Sequence, residues 1–165
     1  MKRFFVSVFT NNYDPKIEKD LLSLLNDKEK SLYFSQPRVD RVHSIRNAKS
    51  VIEGDPEGYD DVLVVAAALH DVGKAQANLG ILGRVLATIS QGILPVQLLR
   101  RWEGEEGFRK DISQYCFHGE NGAALLDEAG SASIVVMWAR RHHERADDVP
   151  VSADIFAILS RADRK

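Results

Sequence analysis

One stretch constrains this chain more than any other: Val62-Leu63-Val64-Val65-Ala66-Ala67-Ala68-Leu69-His70-Asp71-Val72-Gly73-Lys74. From Val62 to Leu69 no polar residue interrupts it on either a helical or a strand period, so no wet face is marked. Its Ala and Leu content predicts a helix buried nearly all round, although the Val residues alone also suit a strand. Asp60 or Asp61 supplies an N-cap and Gly73 a stop. An imidazole and a carboxylate at the last turn of such a helix are costly to bury. A bound cation would offset that cost.

What surrounds the helix follows from size. The chain has 165 residues, 44% of them hydrophobic, which suits a single core and one domain. The formal net charge of −2 leaves no basic footprint for a phosphate backbone, so no nucleic-acid partner is expected. Cys116 is the single cysteine, which rules out an internal disulfide and fits a reducing compartment; its simplest reading is a small buried hydrophobe. Met1-Lys2-Arg3 followed by Phe4-Phe5-Val6-Ser7-Val8-Phe9 faintly imitates a signal peptide. Its apolar part is shorter than the roughly 7–15 residues a signal core needs, and no small-residue cleavage site follows. A short N-terminal strand or an extended arm is expected instead. No segment approaches the roughly 18 apolar residues of a membrane span. A soluble, cytoplasmic protein without a membrane partner is the expectation.

In chain order, Ile17, Leu21, Leu24, Leu25 and Leu32 predict an amphipathic helix or helix pair over 16–34, with Asp27-Lys28-Glu29-Lys30 as a solvated face. Residues 1–36 thus read as an arm plus amphipathic helix, and 37–165 as the metal-binding helical domain. From Pro37, the residues Val39, Val42, His43 and Arg46 share one helical face. Asp55-Pro56-Glu57-Gly58 is turn chemistry. Between 80 and 113 five glycines break the pattern into short pieces, as in a substrate-covering or irregular region. His118-Gly119-Glu120 opens a helix over Ala123 to Ala129 that Gly130 ends. Another helix starts near Ser133 and stacks Ile134, Trp138 and His142. Ser152 caps a last one, whose stripe Ile155, Leu159, Ala162 leads to Asp163. The fold class expected is all-α: a compact, single-core bundle of five or six helices.

The five histidines are His43, His70, His118, His142 and His143. Each falls on or at the mouth of a helix whose apolar face must turn inward, and none lies in the charged loops. A lone histidine beside an apolar stripe is usually a satisfied core residue. Five together, with Asp71 and Asp163, make a set of nitrogen and oxygen donors suited to one or two ions of Fe, Mn, Co, Ni or Zn rather than Ca.

The ordered set His43, His70-Asp71, His118, His142-His143 and Asp163 resembles the HD-domain superfamily of metal-dependent phosphohydrolases. The likeness is to the branch with HDxGK, here His70 to Lys74, and HHE, here His142-His143-Glu144. It implies that His43, His70, Asp71 and Asp163 hold one metal ion, and that Asp71 bridges to a second held by His118 and His142, with His143 as a further ligand. It also implies attack by a metal-activated hydroxide on a small phosphorylated, nucleotide-like molecule. Adjacent helical residues point about 100° apart, so His70 and Asp71 reach one cluster only at the helix end.

Around that set, Lys74 either neutralises a phosphoryl oxygen or is an exposed post-helix lysine. Arg46 either holds a substrate phosphate or pairs with a buried carboxylate. Arg84 is a further phosphate candidate, and Glu144 either orients a ligand histidine or is a plain helix-end carboxylate. The chain after Glu144 lacks the Gly-Tyr-Pro element of cyclic-di-GMP phosphodiesterases, and Gly73-Lys74 replaces the acidic continuation of alarmone hydrolases. The resemblance leaves two alternatives: a di-iron oxygenase of the same ligand set, and a non-catalytic metal- or ligand-binding module.

Overall fold

The computed structural model describes residues 13–54, 58 and 60–164. Among them there are ten α-helices and no strand. The helices are α1 (Pro15–Leu24), α2 (Asp27–Ser35), α3 (Arg38–Gly54), α4 (Asp61–Leu69), α5 (Ile81–Ile93), α6 (Val96–Trp102), α7 (Phe108–Cys116), α8 (His118–Glu128), α9 (Ser133–Arg141) and α10 (Ala153–Arg164). The all-α expectation holds. Five or six helices was too few, because the Gly-broken stretch is itself three short helices, and the 16–34 segment is a pair. The expected N-terminal strand or arm lies outside the described residues, as does the Asp55-Pro56-Glu57 part of the expected turn.

Helix α4 is the axis of the bundle. Every residue from Leu63 to Leu69 is buried, and α1, α3, α9 and α10 all pack on it. Side-chain caps start α1, α4 and α10, the last two, at Asp60 and Ser152, where the sequence suggests. Asp60 takes the N–H of Val62, Asp14 takes those of Lys16 and Ile17, and Ser152 Oγ accepts from Ile155 N at 3.3 Å. Gly130, with φ +74°, lets the chain turn left-handed after α8. Glu29 corrects the solvated-face reading. It is buried, closes a capping box with Asn26, and accepts from Ser131 Oγ at 2.6 Å.

Gly73 also departs from expectation. Helix α4 ends at Leu69, and Gly73 lies in a 3-10 turn, Val72–Gln76, with no positive φ. Its lack of a side chain serves a close approach. A Cβ there would sit 2.0 Å from the His118 carbonyl oxygen and 2.6 Å from Gly122 N. The turn therefore lies backbone to backbone on α8, which brings Asp71 beside His118.

On α3 the buried line is Ser44, Ile45, Asn47, Ala48 and Val51, with the Val39 and Val42 positions only half-buried. His43 thus stands at the edge of the core rather than in its middle. A smaller apolar cluster, including Leu79, Ala87, Leu99, Ile112 and Cys116, joins α5, α6 and α7. Gly83 and Gly92 lie inside α5 and do not end it. Cys116 is buried, as expected, and burial pushes its thiol up to about 11.

Candidate metal centre

Three histidines share one device. His70 follows the last turn of α4, His118 follows that of α7, and His142 follows that of α9. In each, Nδ1 lies against the carbonyl three residues back: Ala67 O at 2.9 Å, Tyr115 O at 2.7 Å and Ala139 O at 2.9 Å. A carbonyl only accepts, so Nδ1 carries a proton, and in the neutral ring Nε2 presents its lone pair. At Ala67 and Ala139 the same bond gives a partner to a carbonyl near the helix end. Helix capping and ligand orientation are thus one interaction.

These lone pairs converge on Asp71. Its Oδ2 lies 3.5 Å from His70 Nε2 and 3.6 Å from His43 Nε2, and His70 Nε2 lies 3.2 Å from Asp163 Oδ1. The other oxygen, Oδ1, lies 3.3 Å from His118 Nε2 and 3.7 Å from His142 Nε2. His143 joins this second group with Nε2 3.2 Å from His118 Nε2. All seven sequence-predicted ligands are therefore brought to one place, arranged as two sets that share Asp71.

The donor set fits a cation. His70 Nε2, Asp71 Oδ1 and His142 Nε2 are buried with no hydrogen-bond partner in the protein, which is costly unless something else binds them. Spacings of 3.2 to 3.7 Å between donors suit bonds of about 2.1 Å to a common ion. The titration behaviour reflects the crowding. Burial would raise Asp71, yet Lys74, His70 and His118 hold it well below the usual carboxylate range. Burial would likewise raise Asp163, yet the rings of His43 and His70, 3.7 and 3.2 Å from its Oδ1, keep it low. Burial and neighbouring imidazoles push His142 far down, and desolvation of its ring beside His118, although the residue as a whole is exposed, brings His143 to about 4. Imidazoles held neutral are the form that binds metal.

His43 differs from the other three. Arg46 Nη2 lies 2.9 Å from its Nδ1, and a guanidinium only donates, so the ring proton sits on Nε2. Asn47 agrees: with its amide turned so that oxygen faces the ring, it accepts from Nε2 at 3.1 Å while its nitrogen reaches Ala162 O at 3.1 Å. In this arrangement His43 is a proton donor. Asn47 was not singled out in the sequence, although its i+4 spacing from His43 places it on the same face.

Lys74 is not an exposed lysine. Its Nζ lies 2.5 Å from Asp71 Oδ2, and against burial that contact raises its pKa. Arg84 is engaged as scaffold: it grips Asp40 with two bonds of 2.7 and 2.8 Å and bonds Leu79 O at 3.3 Å. Its donors point into the fold, which removes it from the phosphate candidates. Glu144 pairs with Arg141 at 3.0 Å on the surface, the plain helix-end reading. No protein-family model, curated protein or solved structure matches this chain.

Proposed function

We propose that the chain is a metal-dependent phosphohydrolase cleaving a phosphoester or phosphoanhydride bond of a small, nucleotide-like substrate, as its likeness to the HD-domain superfamily implies. The observation that carries this reading is Asp71, one carboxylate whose two oxygens face separate groups of imidazole nitrogens. That division suits a pair of divalent transition-metal ions. Bound there, they supply Lewis acidity that acidifies water and neutralises phosphate charge.

The rest falls to the chain itself. Lys74 steadies Asp71 and adds a positive charge where phosphoryl oxygens would gather. Arg46 exchanges the His43 ring for a substrate phosphate, a better partner for a guanidinium. The exchange releases Nδ1 and lets the His43 proton move there, so substrate binding and the ligation state of His43 are coupled.

Metal content is measured on protein purified without chelator or metal-affinity tag, followed by a phosphate-release screen over nucleotides and dinucleotides with added Mn, Co or Fe. About two ions per chain with phosphate release is the expected result. Asp71→Ala should lose both together, and a variant that kept both would sink the bridging role. Two irons without phosphate release would move the reading to oxygenase chemistry.

A further inference from the structure

Away from the metal donors, the first turns of α3 form one wall of a cleft of about 320 Å³, which α2 and the start of α1 close. Tyr13, Glu18, Phe34, Arg38, Arg41 and Val42 line it, and none of them belongs to the metal-binding groups. Arg38 and Arg41 stand three residues apart on α3, so their guanidinium groups serve the same side of the helix. The aromatic walls are open to a ligand, with Phe34 53% exposed and Tyr13 42%.

The positive charge in this cleft is not neutralised by a direct partner. Glu18 is its only carboxylate, and both oxygens are taken: Tyr33 Oη donates to one at 2.7 Å and Tyr13 Oη to the other. The acidic groups on either side are engaged too, Asp14 by Lys49 at 3.0 Å and Asp40 by Arg84 at 2.7 and 2.8 Å. No carboxylate among the described residues pairs with Arg38 or Arg41, and Arg41 Nε is buried without an acceptor. A guanidinium only donates, and a buried donor left unmade is costly unless a ligand meets it. Arg38 also opens α3, so the positive end of a 17-residue helix adds to the two charges.

The two kinds of wall ask for one kind of molecule. Paired guanidinium groups suit a phosphate, which accepts from several N–H groups at once. An exposed aromatic ring suits a flat base. The guanidinium carbon of Arg41 lies 5.8 Å from the centre of the Phe34 ring, so the phosphate and the base would lie within one nucleotide of each other. The volume is that of a small ligand site.

We propose that this cleft is a second binding site, one for a nucleoside monophosphate, with the phosphate on Arg38 and Arg41 and the base against Phe34. It does not rest on the phosphohydrolase reading, because it shares no residue with the metal centre. It stands on the helix that carries His43 and Arg46, so its ligand bears on the element that positions both.

Isothermal titration calorimetry of the full chain in chelator, with AMP, adenosine and inorganic phosphate as probes, tests the proposal. AMP should bind about tenfold or more tighter than adenosine or phosphate, since each of those keeps only half of the contacts. Arg38→Gln and Arg41→Gln should each weaken AMP about fivefold or more. Arg38 is exposed, so its variant should keep the wild-type circular dichroism. Phe34→Ala should weaken AMP by a similar factor, and Arg46→Ala should leave AMP binding as it is. No AMP binding at about 1 mM would overturn the proposal. So would AMP binding that survived Arg38→Gln and Arg41→Gln but was lost in Arg46→Ala, because the nucleotide would then sit at the metal centre. Phosphate binding as tightly as AMP, or a Phe34→Ala protein with full AMP affinity, would overturn the assignment of a nucleotide.

Discussion

Gly73→Ala adds one methyl group where the 3-10 turn meets α8. The new Cβ would lie 2.0 Å from His118 O and 2.6 Å from Gly122 N, where ordinary contact begins at 3.4 Å. Both obstructing atoms are backbone, so no side chain can swing aside; the turn and the helix must part by more than about 1 Å. Overpacking of this kind costs about 1–3 kcal/mol, and a backbone clash belongs at the upper end. At roughly 2–4 °C per kcal/mol for a chain of this size, the melting temperature should fall by roughly 6–12 °C. The same displacement carries His118 Nε2 from 3.3 Å to beyond about 4.2 Å from Asp71 Oδ1, the farthest apart two donors can be with bonds of about 2.1 Å to one ion. Thermal melting and metal content on one preparation should show both losses, the second ion going first. Gly92→Ala is the control: a Cβ there meets nothing within 4 Å, and the residue lies inside α5, so it should stabilise by about 0.5–1 kcal/mol. A Gly73→Ala protein that melted within 2 °C of wild type and kept both ions would refute the close-approach argument.

Other perturbations separate the remaining contacts. Arg46→Ala should tighten metal binding several-fold in competition with a chelating dye, because His43 Nδ1 is then free to hold the ring proton, yet should slow phosphate release; unchanged or weaker metal affinity would contradict the tautomer assignment. Glu29→Ala removes the acceptor for Asn26 N and Ser131 Oγ and should cost about 1–2 kcal/mol in urea denaturation, whereas a loss below measurement would return Glu29 to a surface role. In chelator, stability should fall as the pH drops from about 6.5 to about 4, since burial and charged neighbours depress His143 to about 4 and His142 also lies low, so the unfolded chain binds more protons. His70 opposes this only above its ordinary 6.5, where Asp71 and Asp163 outweigh its burial and keep its proton on. A urea midpoint that rose toward pH 4 would refute the assignment.

The sequence by itself determined that α4 is buried, that the class is helical, and which side chains gather. An unbroken apolar run has only the core to go to, and the histidines gather where the inward-facing helices end, His70, His118 and His142 buried and His43 and His143 at the rim. The caps at Asp60, Gly130 and Ser152 were legible because capping depends on neighbours in the chain. Tertiary structure alone decided matters that depend on residues distant in sequence. Gly73 reads locally as a helix stop, and only the presence of the His118 backbone reveals it as a packing contact. Arg84 reads as a free cation until Asp40, 44 positions away, takes its guanidinium. The tautomers of the four central histidines follow from which atom meets each Nδ1, a carbonyl three times and Arg46 once. Neither the length of α5 nor the way its apolar side faces was legible among the glycines: only the packing of neighbouring helices decides which face of a helix meets water.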